Sequence, residues 1–364
     1  MRLKLIVLTL VACLFGAGGV VAQQASYGDI AHFLAGQPVS QTSPLYPVSM
    51  RPSVQRQAGK LQNMTAEMKN RRLNRISEWA KGVIHPKISR PKYVKYPFGG
   101  PDFVHVVTLF PGADEYVLVG LEPLGSVPDF TRMPEAQLDA YLGQLNYSMR
   151  SISRRNFFLT KEMREDLSGK GIEGVFPLLL FFAAITDHEV LNASYVTLNG
   201  SGQVNQSGAG GANGIWLQVR AKRWMTGFPE ASSIYYFKTD LSNSGFKAGS
   251  SFNNFLKKRP GGMLYLKAAS YLMHTDSFSN IRNYLASDCQ WVLQDASGFP
   301  AAFLAKYYNV YYFGNYVGPI DMFSEFDQPD LRAIYQSGNA SPLPFGTGYR
   351  MSDADSVQMF GVKK

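Results

Sequence analysis

The stretch Tyr96–Gly125, YPFGGPDFVHVVTLFPGADEYVLVGLEPLG, decides how this chain is read. It opens on Pro97-Phe98-Gly99-Gly100-Pro101-Asp102. Proline fixes φ and paired glycines reach positive φ, so this corner is a committed turn. Two apolar runs follow, Phe103–Phe110 and Tyr116–Leu121, joined by Pro111-Gly112-Ala113-Asp114-Glu115. Both runs are rich in β-branched and aromatic residues, which predicts a buried β-hairpin.

The pattern returns further along. Phe228–Phe237, FPEASSIYYF, echoes Phe110–Val119, FPGADEYVLV. Each copy reads as strand, FP-x-A turn, strand, and then some forty residues of helical pattern. In the second copy the helices are expected over Phe252–Leu256 and Leu264–Leu285. The expected fold is α+β: two similar units, 96–214 and 215–364, with mixed or antiparallel sheets behind a basic helical arm.

Outward toward the N-terminus, the first 22 residues are set aside as a secretory signal peptide. Arg2 and Lys4 form the positive start, Leu5–Ala17 the apolar stretch, and Val20-Val21-Ala22 the small-residue cleavage site. A second reading takes Leu10-Val11-Ala12-Cys13 as a lipobox, which would leave a lipoprotein anchored at Cys13. Residues 23–60 are rich in Gln, Ser and Pro and are expected to be a flexible arm. Over Leu61–Val83, Met64, Met68, Ile76, Trp79 and Val83 recur at helical spacing. This predicts an amphipathic helix docked by its apolar face, with residues 84–95 leading into the corner.

Charge is concentrated here. Between Arg51 and Lys95 twelve basic residues stand against two acidic ones, Glu67 and Glu78, while the chain from Tyr96 onward has 22 basic and 24 acidic residues. A basic segment on an exported chain makes an anionic envelope polymer, a lipid surface or a partner protein the expected partners. Nucleic acid is not expected, nor is a transmembrane helix in the mature chain. Arg71, Arg72 and Arg75 are the candidate binding residues of this segment.

Toward the C-terminus, helices are predicted over 135–155 and 160–167, and Val175–Ile185 as a buried helix or strand. Strands are expected at Val190–Leu198 and Ile215–Val219, with the glycine- and serine-rich 199–213 as a hairpin tip. Tyr307–Tyr316, YYNVYYFGNY, predicts a strand with a glycine bulge, and the last residues an edge strand. Exposed tyrosines offer apolar area with a polar tip, so Tyr311, Tyr312 and Tyr316 are candidate binding residues. Cys289 reads as a small buried hydrophobe.

Catalytic motifs are sparse. The chain holds no H-E-x-x-H, C-x-x-C, G-x-S-x-G or G-x-x-x-x-G-K pattern. Neither a metal nor a cofactor is expected. Histidine meets carboxylate at Asp102/His105, at Asp187-His188-Glu189 and at His274/Asp276. Such pairs suit a general base, although Asp102 is also well placed to cap a turn. If the protein is an enzyme, the catalytic candidates are Asp102, His274, Asp276 and Asp295.

The YPFGGPD corner, FP-x-A and YVLVGLEPLG, with SYLMH, QDASGFP, YYFGNYVGPI and PLPFGTGY later on, resembles a family of uncharacterised exported bacterial proteins. The resemblance spans most of the mature chain and implies export without implying an activity. It leads to the expectation of a second acid at Ala296, within QDASG, and its absence puts in doubt any metal role for such an acidic pair. The expected function is an exported, non-enzymatic protein binding an envelope component or partner protein. The alternative is a hydrolase with an Asp/His site between the two units.

Overall fold

The computed structural model describes residues 24–155, 172–222, 228–269, 271–349 and 352–364. The expected leader and the helix expected over 160–167 lie outside the described residues. The chain is α+β, built on a single ten-stranded mixed sheet. Its strands are β1 (Tyr93–Tyr96), β2 (Glu115–Gly120), β3 (His188–Leu198), β4 (Val204–Gln206), β5 (Gly214–Ala221), β6 (Ser232–Lys238), β7 (Met263–Leu266), β8 (Trp291–Gln294), β9 (Tyr308–Gly314) and β10 (Val357–Lys363). Across the sheet they run β4-β3-β5-β6-β2-β1-β7-β8-β10-β9. The middle five, β6-β2-β1-β7-β8, are mutually parallel, and both flanks are antiparallel.

Helices cover both faces, as a parallel sheet requires. One face carries α1 (Tyr27–Leu34), α2 (Tyr46–Ser49), α3 (Pro52–Met68), α4 (Asn74–Trp79), α5 (Phe103–Leu109), α6 (Glu135–Arg155) and α7 (Val175–Ile185). The other carries α8 (Ser251–Lys257), α9 (Ser279–Asp288), α10 (Ala301–Tyr307) and α11 (Pro329–Gln336). Strand residues alternate between the two cores: Tyr116 and Leu118 of β2 enter the first, Val117 and Val119 the second. Every second side chain therefore meets a different helical layer.

Several expectations are corrected. Phe103–Leu109 is helix α5, capped by Asp102, whose side chain accepts from the His105 amide. The expected hairpin is therefore a β–α–β crossover, with β1 and β2 parallel neighbours. The two-unit repeat is lost with it, because β5 is a strand where α5 is a helix, and the β3–β5 pair crosses the expected boundary at 214/215. Leu264–Leu266 belongs to the central strand β7, and the helix expected there begins only at Ser279. A strand buried on both faces is continuously apolar and carries no period of two.

The flexible arm is also corrected. Ile30, Phe33 and Leu34 of α1 are buried and join the first core, so the polar composition of 23–60 hides one apolar helix face. The expected docked helix over Leu61–Val83 is present, with Leu61, Met64, Met68, Ile76 and Trp79 buried. It is interrupted by π-helical turns at Lys69–Leu73 and Ala80–Ile84. The final strand, β10, is not at the edge: it lies between β8 and β9, leaving β9 outermost.

Candidate functional site at the carboxyl edge of the parallel strands

From β1 the chain winds outward through β2 to β6, then returns to the other side of β1 for β7 and β8. The α5 crossover lies on one face and α8 and α9 on the other. The winding thus reverses between β1 and β7. In open α/β sheets ligands bind outside the carboxyl ends of the strands at such a reversal. Here that place is framed by the corner 97–102 after β1 and by Lys267, Ala268, Ala269 and Tyr271 after β7.

A buried polar cluster lies between these two loops. Lys267 Nζ donates to Asp102 Oδ2 at 2.6 Å and lies 3.1 Å from His105 Nδ1. His105 Nδ1 is 2.7 Å from Asp102 Oδ1, and the Tyr96 hydroxyl donates to Asp102 Oδ2 at 3.0 Å. Asp102, Lys267 and His105 are all buried. Burial alone would raise the Asp102 pKa, but the His105 and Lys267 side chains outweigh it and hold the carboxyl at about 2. Burial lowers both His105 and Lys267, against the pull of Asp102. The carboxylate is ionised. Among the described residues no serine, threonine or cysteine side chain bonds His105; the cluster's hydroxyl is that of Tyr96, which donates to Asp102.

Three of the four non-glycine residues with positive φ among the described residues lie in the same two loops; the fourth, Asp187, does not. Phe98, Ala268 and Tyr271 have φ of 62°, 50° and 58°. Left-handed φ in a residue with a Cβ is costly and persists where surrounding structure enforces it. The enforcing contacts are visible around Ala268, whose amide donates to Asp295 Oδ2 at 2.9 Å while its carbonyl accepts from the Tyr349 hydroxyl at 3.3 Å. The next amide, Ala269, donates to Ser297 Oγ at 2.8 Å. A small cavity of about 30 Å³ opens here, lined in part by Tyr271, Asp295, Ser297, Thr347 and Tyr349. It has room for about one water.

The expected catalytic residues divide. Asp102 and Asp295 come to the same edge, on either side of Lys267. Asp295 is buried, its pKa raised by burial, and its Oδ1 accepts from the Ser297 amide and hydroxyl at 2.9 and 2.6 Å. His274 packs against Tyr271 and Phe326 with its pKa lowered by burial to about 4. Asp276 is fully exposed and 3.8 Å from Arg282. Asp276 therefore does not converge with the others.

The expected binding residues divide too. Arg71 pairs with Glu67 at 2.9 Å on the surface, and Arg75 with Asp353 at 3.2 Å. Arg72, on the first π-helical turn, points inward, where Asp102 and Asp353 favour its charge against burial. Lys69 pairs with Asp187, Arg90 with Asp114, and buried Lys95 with Asp288. Four of the segment's twelve basic residues, Lys69, Arg75, Arg90 and Lys95, thus pair with acids from elsewhere in the chain, and Arg71 pairs within the segment. Tyr311 is exposed under the Lys87 ammonium, Tyr312 packs on Tyr335 on the opposite face, and Tyr316 donates to Asp327. The three tyrosines do not form one platform.

No protein-family model, curated protein or solved structure matches the chain. What the site can do follows from its geometry. Among the described residues no group of three or more His, Cys, Asp or Glu is arranged to hold a metal ion, and no helix is long and apolar enough to cross a membrane. Cys289 is buried, and burial raises its thiol to about 11, so it stays protonated.

Sequence reading missed Lys267, and also Glu122, buried two residues beyond β2 where it accepts from the Tyr236 hydroxyl at 2.9 Å. Each is a lone charge at the end of an apolar run, MLYLK and YVLVGLE. That signal marks the carboxyl end of a buried strand once the run is known to be a strand.

Proposed function

We propose that the protein is exported and binds a small polar ligand at the carboxyl edge of β1 and β7. The observation that carries this reading is the placement of Phe98, Ala268 and Tyr271, three strained residues, in the two loops flanking the winding reversal. The Asp102–His105–Lys267 cluster then serves as a pre-set polar floor. It offers a carboxylate, an imidazole and an amine without needing to reorganise. Binding is favoured over hydrolysis because Asp276, one of the expected catalytic acids, points into solvent away from Asp102 and Asp295.

The test is amide hydrogen exchange on the full chain with panels of nucleosides, sugars, amino acids and dicarboxylates. A ligand that binds should slow exchange across 97–105 and 267–273. Slowing confined to β9 or to 61–83, or none with any panel, overturns the reading.

A further inference from the structure

The far edge of the sheet is open along one strand. β9 pairs with β10 on one side and is the last strand of the sheet. The register with β10 fixes which of its backbone groups look outward. The Asn315 amide donates to the Ser356 carbonyl and the Lys364 amide to the Tyr307 carbonyl. Odd-numbered residues of β9 therefore bond β10, and Val310, Tyr312 and Gly314 face away. Ser341 closes the upper end. Gly314 donates to its carbonyl at 2.8 Å, and its amide donates to the Tyr312 carbonyl at 2.9 Å. That second ladder stops after the single bridge to Phe313. The Val310 amide, the Val310 carbonyl and the Tyr312 amide are left without a partner among the described residues. Such a row of outward groups is what an added strand pairs with.

Room lies beside it. A groove of about 510 Å³ is bounded by Val83, Pro86 and Lys87 at the end of the basic segment and by Val310, Tyr311 and Tyr312 of β9. That is within the range of about 300–1,000 Å³ usual for binding clefts. Charge narrows the occupant. The segments that build the groove, 80–95, 301–320 and 336–349, hold no Asp or Glu. Lys87 is exposed, and its ammonium lies 4.6 Å over the Tyr311 ring with no carboxylate partner among the described residues. Asp330 is felt only by Tyr312, whose ring packs on the opposite face of the strand. A second copy of the chain fits less well. Pairing two β9 strands about Val310 puts two Lys87 ammonium groups at one interface, and like charge opposes it.

We propose that this groove takes an extended, acidic segment of a partner polypeptide as an added strand beside β9. Its backbone pairs with Val310 and Tyr312, and a carboxylate meets Lys87. This site is separate from the ligand site at the carboxyl edge of β1 and β7, and neither depends on the other.

The experiment is a fluorescence-anisotropy titration of the full chain with labelled ten-residue peptides in which threonine alternates with glutamate, glutamine or lysine. The glutamate peptide should bind, the glutamine peptide tenfold or more weakly, and the lysine peptide not measurably. Bound peptide should slow hydrogen exchange at the Val310 and Tyr312 amides. Val310→Pro removes the central outward amide and leaves the β10 ladder its hydrogen bonds, as an edge strand tolerates, and should abolish binding. Lys87→Glu should reverse the order and favour the lysine peptide. Should Val310→Pro fail to fold, Lys87→Glu decides. Binding of none of the peptides, equal affinity for all of them, or a glutamate preference that survives Lys87→Glu overturns the proposal. A dimer in sedimentation that Val310→Pro dissociates, with no peptide bound, gives the edge to a second copy and overturns it equally.

Discussion

Phe103–Gly120 and Gly214–Lys238 share a sequence pattern and differ in structure over half of it. Their second halves are true counterparts. Tyr116, Val117, Leu118 and Val119 of β2 pair in parallel register with Ile234, Tyr235, Tyr236 and Phe237 of β6, the same residues that the FP-x-A echo aligns. Their first halves part company: FVHVVTL is helix α5 and GIWLQVRA is strand β5. The difference is legible in periodicity. In β5, Ile215, Leu217 and Val219 are fully buried, while Trp216, Gln218 and Arg220 on the other face are partly or fully exposed. FVHVVTL has no such alternation, and six of its seven residues are buried. β-branched composition alone does not separate a buried helix from a strand; a capping aspartate on one side and alternation on the other do.

The strongest way to break the comparison is at the cap. Lys267→Met leaves the Asp102 carboxylate buried without its cation, which should cost about 3–5 kcal/mol in denaturant unfolding. Adding Asp102→Asn should recover a large part of that loss, because no bare charge then remains. A single-mutant cost below about 1 kcal/mol would mean that the pair does not hold the corner. No equivalent pair exists at β5, so polar substitution of Arg220, exposed and paired with Glu189 at 2.7 Å, should be nearly silent by comparison.

The two FP turns touch, and that contact offers a second test. Gly112 has φ of 76°, and a Cβ there would lie 2.6 Å from the Phe228 ring. Gly112→Ala should destabilise by about 2–3 kcal/mol, from left-handed strain plus the clash. In a double-mutant cycle, Phe228→Ala should return the clash part and leave the strain. Strict additivity would show that the turns do not press on each other.

Much of the architecture was legible in these terms. The docked helix at 61–83, the strands at 190–198 and 215–219 and the long helix from Glu135 follow from clean periodicity. What was not legible is the parallel centre. β1, β7 and β8 are four residues each, and four buried residues cannot show whether they belong to a strand or a helix. The site suffered for the same reason. Asp102 and Asp295 carry turn signals and were found. Lys267 and Glu122 become visible only when the runs before them are recognised as strands ending at one edge. Asp276 was misleading because His274 stands beside it in sequence, yet a 3₁₀ turn sends the carboxylate outward.

Acid sensitivity sharpens the packing of the helical half. The His188 ring meets Phe103 of α5 edge-on at 5.6 Å, and burial lowers its pKa from 6.5 to about 4. The unfolded chain therefore binds the proton first as pH falls, so this contribution is fully present above about pH 6.5 and is lost by about pH 4. The ring is only partly covered, so a loss of about 2 kcal/mol is expected over that window. His188→Gln should flatten the corresponding part of the stability–pH curve. His274, also lowered to about 4, accounts for a slope that remains. The Asp102 contribution falls away lower, as pH drops from about 4 through about 2.

The smallest effect is expected one residue from a larger one. Arg71 and Arg72 are adjacent, yet Arg71 faces solvent beside Glu67 while Arg72 leans toward the Asp102 cap of the helical stretch. Arg71→Gln should change stability by less than about 0.5 kcal/mol, as for most exposed pairs. Arg72→Gln should cost more, by roughly 1 kcal/mol, since it removes a charge that favours ionised Asp102. If the two substitutions prove equal in denaturant unfolding, Arg72 contributes nothing to the corner, and the cap depends on Lys267 and His105 alone. If Arg71→Gln is the costlier one and also weakens sedimentation with anionic vesicles at physiological salt, where exposed charges are screened within about 8 Å, the basic segment has a surface role that its ion pairs conceal.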